Sequence, residues 1–183
     1  MLENVTIVTP VKEDPRLVDE FIAYNRIMLK EYPLIVIDSV GGFRLEDFAT
    51  IYKRMSLPLT FWEARILGYK DVETEYIFNL DCGVVPDKDY LTYALYYLED
   101  KDVGAVSTFI INRNHKGKLG FGISIWRTEL LKKLYDYNPN KMPKDHRLCE
   151  CIYMWDKLEA EGYKIRSSMK FAKHLNIEGG NRK

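Results

Sequence analysis

The stretch Tyr76-Ile77-Phe78-Asn79-Leu80-Asp81-Cys82-Gly83-Val84-Val85-Pro86 begins as an apolar run and breaks on Asp-Cys-Gly. A short, almost uninterrupted apolar run bounded by turn residues predicts a strand buried on both faces, here over 76–80. In an open α/β sheet, ligands gather beyond the carboxyl ends of the strands, so Asp81 to Gly83 is the first place to look for chemistry.

The surrounding sequence repeats the pattern. Val5 to Thr9 reads as a strand that stops at Pro10, and Pro15 to Lys30 carries Leu17, Val18, Phe21, Ile22, Ile27 and Met28 at helical spacing. Leu34 to Ile37 is a β-branched run closed by Asp38, with a Gly41-Gly42 turn after it. Helices are expected over Asp47–Arg54, Trp62–Gly68 and Asp89–Leu98. Beyond them, Gly104 to Ile111 and Leu119 to Trp126 read as strands joined by the polar turn Asn112–Lys118. Thr128 to Tyr135 and Asp145 to Glu161 read as helices, the second stopped by Gly162. Alternating β and α elements predict an α/β fold: a mostly parallel central sheet flanked by helices on both faces, in one domain over 1–183.

A chain of 183 residues buries about 70% of the surface its unfolded form exposes, enough to build a pocket. With 46% hydrophobic and 30% charged residues it has the balance of an ordinary globular protein. Lysine and arginine number 27, as do aspartate and glutamate, so no overall field draws the chain to nucleic acid or anionic lipid, and any such partner needs a local patch. No secretory signal and no apolar run of about 18 residues is seen, and a cytoplasmic location is the expectation. Cys82, Cys149 and Cys151 form no CxxC arrangement and read as free thiols. Glutamine is absent, a bias in keeping with a thermophilic source.

Three segments follow predicted strands: Thr9-Pro10-Val11-Lys12, Asp38-Ser39 and Asp81-Cys82-Gly83. A carboxylate there can accept hydrogen bonds from a base or ribose, or hold a divalent cation beside a diphosphate. It can equally be a turn-forming Asp and nothing more. Tyr93, Tyr96 and Tyr97 share a helix with Leu91, Ala94, Leu95 and Leu98, a spacing that suits core or interface packing.

Taken in order, these segments resemble the family-two-like GT-A glycosyltransferases over nearly the whole chain, in a minimal, archaeal or archaeal-virus-like version. Val5-Thr6-Ile7-Val8-Thr9-Pro10-Val11 is similar to the family's opening strand and nucleotide loop, and Ile35-Val36-Ile37-Asp38-Ser39 to its second strand, whose Asp meets the base. Glu63-Ala64-Arg65-Ile66-Leu67-Gly68 resembles the family's Ala-Arg-Asn-x-Gly helix, and Asp81-Cys82-Gly83 stands where the family has DxD, with Gly83 in place of the second acid. Gly120-Phe121-Gly122-Ile123-Ser124-Ile125-Trp126-Arg127 resembles the family's glycine-bearing acceptor strand.

The resemblance implies a nucleotide-sugar-binding half over 1–100 and an acceptor-side half over 101–183. Donor contacts fall on Thr9, Pro10, Val11, Lys12, Asp38, Arg65, Asp81 and Gly83. The acceptor side falls on Gly120, Gly122 and Trp126. Mn2+ or Mg2+ would be held by Asp81 and His174. The catalytic residues are expected at Asp145 and Glu150, with Asp145 favoured as the base and a helix N-cap as its alternative role. Glu150-Cys151 lies twelve and eleven residues before Gly162, the spacing of the family's acidic pair, with Cys151 in place of its Asp.

The implied activity is inverting, hexosyltransferase-like transfer of sugar from a nucleotide diphosphate sugar to a hydroxyl on a glycan, lipid or protein acceptor. Membrane association is expected only with a lipid-linked acceptor, and a homo-oligomer is possible. The alternative is a noncatalytic nucleotide-sugar-binding or assembly protein with a degenerate site. A nucleotidyltransferase ranks below both, since no Gly-rich phosphate loop follows the first strand.

Overall fold

The computed structural model describes residues 4–12, 15–40, 44–111, 119–138, 140 and 150–175. The elements run β1 (Val5–Val11), α1 (Pro15–Glu31), β2 (Leu34–Asp38), β3 (Ile51–Arg54), α2 (Phe61–Tyr69), β4 (Tyr76–Leu80), β5 (Val84–Pro86) and α3 (Tyr90–Leu98). They continue with β6 (Val103–Ser107), β7 (Ile110–Ile111), β8 (Ile123–Arg127), α4 (Thr128–Leu134), α5 (Glu150–Ala160), β9 (Lys164–Ser167) and β10 (Ala172–His174).

Seven strands form the central sheet in the order β3-β2-β1-β4-β8-β6-β9. β1 pairs in parallel with β2 and β4, β2 with β3, and β6 with β9, while β8 runs antiparallel between β4 and β6. A smaller sheet, β5-β10-β7, stands beside it. The alternation along β1 explains the two-sided burial. Val5 and Ile7 face a core closed by Leu17, Val18 and Phe21 of α1 and by Tyr90, Leu91 and Ala94 of α3. Val8 faces a second core with Ala64 of α2, Leu130 and Leu131 of α4, and Met154, Trp155 and Leu158 of α5. α1 and α3 thus cover one face and α2, α4 and α5 the other, as the βα alternation predicts.

Three local expectations fail. Asp47–Arg54 is not a helix: a 3-10 turn spans Arg44–Asp47, and Ile51–Arg54 is the edge strand β3. The reason is Thr50, whose N–H donates to Leu34 O at 2.8 Å and whose Oγ1 accepts from Leu34 N–H at 3.2 Å, so the next residues are drawn alongside β2. Gly104–Ile111 is two strands rather than one, because the chain leaves the large sheet after Ser107 and joins the small one at Ile110. The strand read over Leu119–Trp126 begins only at Ile123. The turn Asn112–Lys118, the Gly41-Gly42 turn, Cys149 and the first residues read into the last helix, Asp145 included, lie outside the described residues.

α2 shows how closely local sequence can specify an element. Thr60 is its N-cap, accepting from Glu63 N–H at 3.3 Å, while the Glu63 carboxylate accepts from Thr60 N–H at 2.8 Å. This reciprocal capping box starts the helix at a defined residue and sets the rotation that turns Arg65 inward.

Candidate functional site

β1, β2 and β4 run side by side in parallel, so their carboxyl ends bring Val11, Asp38 and Leu80–Asp81 to one edge of the sheet. Ser39 seals the first two strands together, its N–H and Oγ donating to Val11 O at 3.2 and 3.1 Å. Asp38 is fully buried. One of its oxygens accepts from Val40 N–H at 2.9 Å and the other from the hydroxyl of Tyr52. Burial and then the Asp38 carboxylate push the Tyr52 phenol well up, so it stays a donor. Tyr52 falls inside the span Asp47–Arg54 whose spacing predicts a helix; the alternation Ile51-Tyr52-Lys53 after Thr50 is the signal for the strand.

Asp81 is built differently. Its N–H donates to Gly122 O at 2.8 Å, continuing the β4–β8 ladder one step past Leu80 and Ile123. Its side chain lies so close over Gly122 that a Cβ there would collide with the Asp81 carboxylate. Only glycine admits the carboxylate at this position. Beneath, Ser124 Oγ donates to Phe121 O at 2.6 Å and accepts from Trp126 Nε1 at 3.0 Å and Asn79 Nδ2 at 3.2 Å. The turn carrying Gly122 is therefore anchored by buried polar bonds.

Arg65 joins this carboxylate to a distant one. Its guanidinium, 3% exposed, reaches Asp81 Oδ1 at 2.5 Å through Nη2 and Glu150 through Nη1. It also lies 5.1 Å from the centre of the Phe121 ring. Burial opposes the charge on Arg65, but Asp81 and Glu150 outweigh it and hold the guanidinium firmly protonated. The other Glu150 oxygen accepts from the Tyr135 hydroxyl. Burial raises the Glu150 carboxyl above its ordinary range and Asp81 adds to the rise, against the pull of Arg65 and Tyr135. α2, the end of β4, the residue after α4 and the first described turn of α5 meet here. No spacing rule relates Arg65, Asp81, Tyr135 and Glu150, and Tyr135 carries no sequence signal for this role.

The remaining expected residues are spread around this cluster. Thr9 is buried, and its Oγ1 has no hydrogen-bond partner among the described residues. Pro10 and Val11 belong to β1, and the Lys12 ammonium sits 5.5 Å from the Phe61 ring centre. Gly120 is buried against Ile110, its carbonyl accepting from Ser107 Oγ at 2.6 Å. Trp126, read as an acceptor-side platform, is fully buried and stacks on Trp155 with ring centres 5.1 Å apart, so both faces serve packing.

Gly83 adopts φ 97°, a left-handed turn that disfavours a side chain at the third position of the Asp-x-Gly stretch, where DxD has its second acid. The His174 ring lies against it, 3.8 Å from where a Cβ would be, and Leu175 N–H donates to Gly83 O at 2.7 Å. No cluster of three His, Cys, Asp or Glu suited to a metal occurs among the described residues. The Asp81–Gly83 turn thus has a carboxylate at its first residue and the His174 imidazole against its last, oxygen and nitrogen donors of the kinds that Mn2+ accepts.

No protein-family model matches the chain, and no curated protein matches its sequence. Solved structures do match. Superposition on the mannosyltransferase PcManGT from Pyrobaculum calidifontis, in complex with GDP-Man and Mn2+, gives a TM-score of 0.74 at 17% identity, covering 97% of this chain and 58% of that one. The chain has the GT-A fold. Two further GT-A matches are S. aureus TarS, with TM-score 0.68, 13% identity and coverage of 94% and 60%, and GalNAc-T7 with UDP, GalNAc and Mn2+, with 0.70, 11%, 97% and 45%. The chain thus spans between 45% and 60% of the length of these GT-A neighbours.

Proposed function

We propose that the chain binds a nucleoside diphosphate sugar along the edge formed by β1, β2 and β4 and transfers the sugar to a hydroxyl acceptor. The observation that carries this reading is the Arg65–Asp81–Glu150 cluster at that edge of a GT-A sheet, built from elements far apart in sequence and seated on Gly122. Two carboxylates share one guanidinium, so the cluster keeps a negative charge at the strand end, which suits a divalent cation bridging to the diphosphate of a donor. PcManGT holds GDP-Man with Mn2+, and GalNAc-T7 holds UDP with Mn2+. By that analogy Thr9 to Lys12 and Asp38 take the nucleoside, and the orphan Thr9 hydroxyl gains a partner when the donor binds.

Asp81 and His174 would hold Mn2+ or Mg2+, which supplies charge stabilisation at the leaving diphosphate. Residues 1–100 serve the donor and 101–183 the acceptor. We assign the acceptor's proton to Asp145. Glu150 positions Arg65, because both of its oxygens already accept hydrogen bonds. Transfer with inversion is one direct displacement: the acceptor oxygen, giving its proton to the base, bonds to the anomeric carbon from the face opposite the diphosphate as the bond to the diphosphate breaks.

Release of nucleoside diphosphate from a panel of sugar nucleotides, with Mn2+ or with a chelator, tests the reading. Turnover of one donor, lost to chelation and reduced about 10²–10⁴-fold by Asp145→Asn with donor affinity intact, is the expected result. Comparable loss in Glu150→Gln but not in Asp145→Asn would move the base to Glu150. Gly83 and Cys151, standing where two acids are expected, favour a second reading of donor binding without transfer. Calorimetric donor binding with no diphosphate release would select it.

A further inference from the structure

Beside this site, at the same edge of the sheet, two loops are stapled into one protrusion. The turn between β6 and β7 and the turn between β9 and β10 are joined by Ser168 N–H to Ser107 O at 2.9 Å and Ala172 N–H to Phe109 O at 3.2 Å. Thr108 Oγ1 also donates to Lys170 O, which Ser168 Oγ reaches from within its own loop at 3.3 Å. Thr108 and Ser168 are buried, so the loops are held by satisfied polar groups while their apolar side chains point outward.

Met169 is 80% exposed, Phe171 55% and Phe109 40%, side chains that ordinarily seek burial. Met169 also adopts φ 55°, a left-handed conformation disfavoured for a residue with a Cβ. Neither exposure nor conformation is explained by packing.

The charge around the protrusion is one-sided. In a chain of net charge zero, the two loops themselves, Ser107 to Ile110 and Ser167 to Lys173, carry Lys170 and Lys173 and no acidic residue, while Lys164 at the start of β9 is paired with Asp102 at 3.0 Å. Lys173 is exposed, and Lys170 lies over the Tyr93 ring at 4.5 Å, its ammonium beside an aromatic half open to solvent. On the α3 side the border is Asp87, next to Lys88, with Asp87 N–H bonded to Phe171 O at 2.9 Å.

We propose that this protrusion docks on an anionic lipid bilayer. Phe109, Met169 and Phe171 enter the headgroup–acyl boundary, Tyr93 sits at headgroup level, and Lys170 and Lys173 face the lipid phosphates. Apolar side chains flanked by lysines are what such a surface binds, because insertion and charge attraction act together. β10 leads from the protrusion to His174, roughly 10 Å from Phe171 at the usual rise of a strand. Docking therefore holds the sheet edge close to the membrane. The proposal does not depend on sugar transfer.

Cosedimentation of the full chain with vesicles tests it, using phosphatidylcholine alone and phosphatidylcholine mixed with phosphatidylglycerol. Binding to the mixed vesicles only, weakened by added salt, is expected. Met169→Ser with Phe171→Ser, and separately Lys170→Glu with Lys173→Glu, should each lower the partition coefficient at least about tenfold, with thermal unfolding like that of the wild type. Wild-type chain that binds neither vesicle, or binds both equally, overturns the proposal, as do double variants that bind undiminished. Self-association in sedimentation velocity without vesicle binding would assign the surface to a second copy and likewise overturn it.

Discussion

Asp38 and Asp81 end two strands that flank β1 in the same sheet, yet they are wired in opposite ways. Asp38 is satisfied by its neighbourhood: Val40 N–H two residues on and Tyr52 from the adjoining strand, both neutral donors. Asp81 is satisfied by Arg65, a cation shared with Glu150 from the other half of the chain. The first arrangement is a rigid strand end whose carboxylate is already held by its neighbours. The second is a charge network whose balance changes when a charged group arrives or a proton leaves, and it is there that we propose the donor's diphosphate to lie.

Replacing Arg65 breaks the difference most severely. Arg65→Met leaves Asp81 and Glu150 close together without their shared cation, and loss of one partner from a buried pair costs about 3–5 kcal/mol. Urea denaturation should show a destabilisation of that size; an unchanged midpoint would mean that the network contributes nothing to the fold. On the Asp38 side the matching change is Tyr52→Phe, which removes one hydrogen bond to a charged group, about 1.5–3 kcal/mol. The same denaturation experiment should rank it below Arg65→Met, and the reverse order would contradict the contrast between the two strand ends.

Gly122→Ala tests the seat rather than the partners. The added Cβ must displace the Asp81 carboxylate or the turn beneath it, an overpacking cost of about 1–3 kcal/mol. Donor affinity measured by calorimetry should fall with it, whereas Gly120→Ala, which meets only the side chains of Ile110 and Ile123, should spare donor affinity. Equal affinities in the two variants would separate Asp81 from the donor.

The smallest effect is one of pH. The Glu150 carboxyl is raised in the folded state, by burial first and by Asp81 second. The folded protein therefore keeps that proton to higher pH than the unfolded chain does. The stability this group contributes is complete below its unfolded value and is lost as pH rises through the raised folded value. Glu150→Gln lacks this loss, so the stability of the variant relative to wild type should improve as pH rises from the acid range to neutrality. Parallel curves of stability against pH would show that Glu150 does not titrate in this way.

Much of the fold follows from local sequence because its causes are local. The 76–80 strand is an apolar run between turns, α2 begins where Thr60 and Glu63 cap each other, and the helix over 15–31 is an apolar stripe of helical period. Strand-terminal Asp38 and Asp81 are legible for the same reason, and the βα alternation leads to helices on both faces. Other features depend on partners that spacing does not reveal. β3 exists because Thr50 bonds to Leu34, sixteen positions earlier in the chain, and Trp126 is core because Trp155 lies against it. The meeting of Arg65, Asp81, Tyr135 and Glu150 was decided by the tertiary structure alone. A buried guanidinium is stable only where several carboxylates can surround it, and residues 65, 81 and 150 come within reach only once the sheet has ordered its strands and the helices have packed on its face.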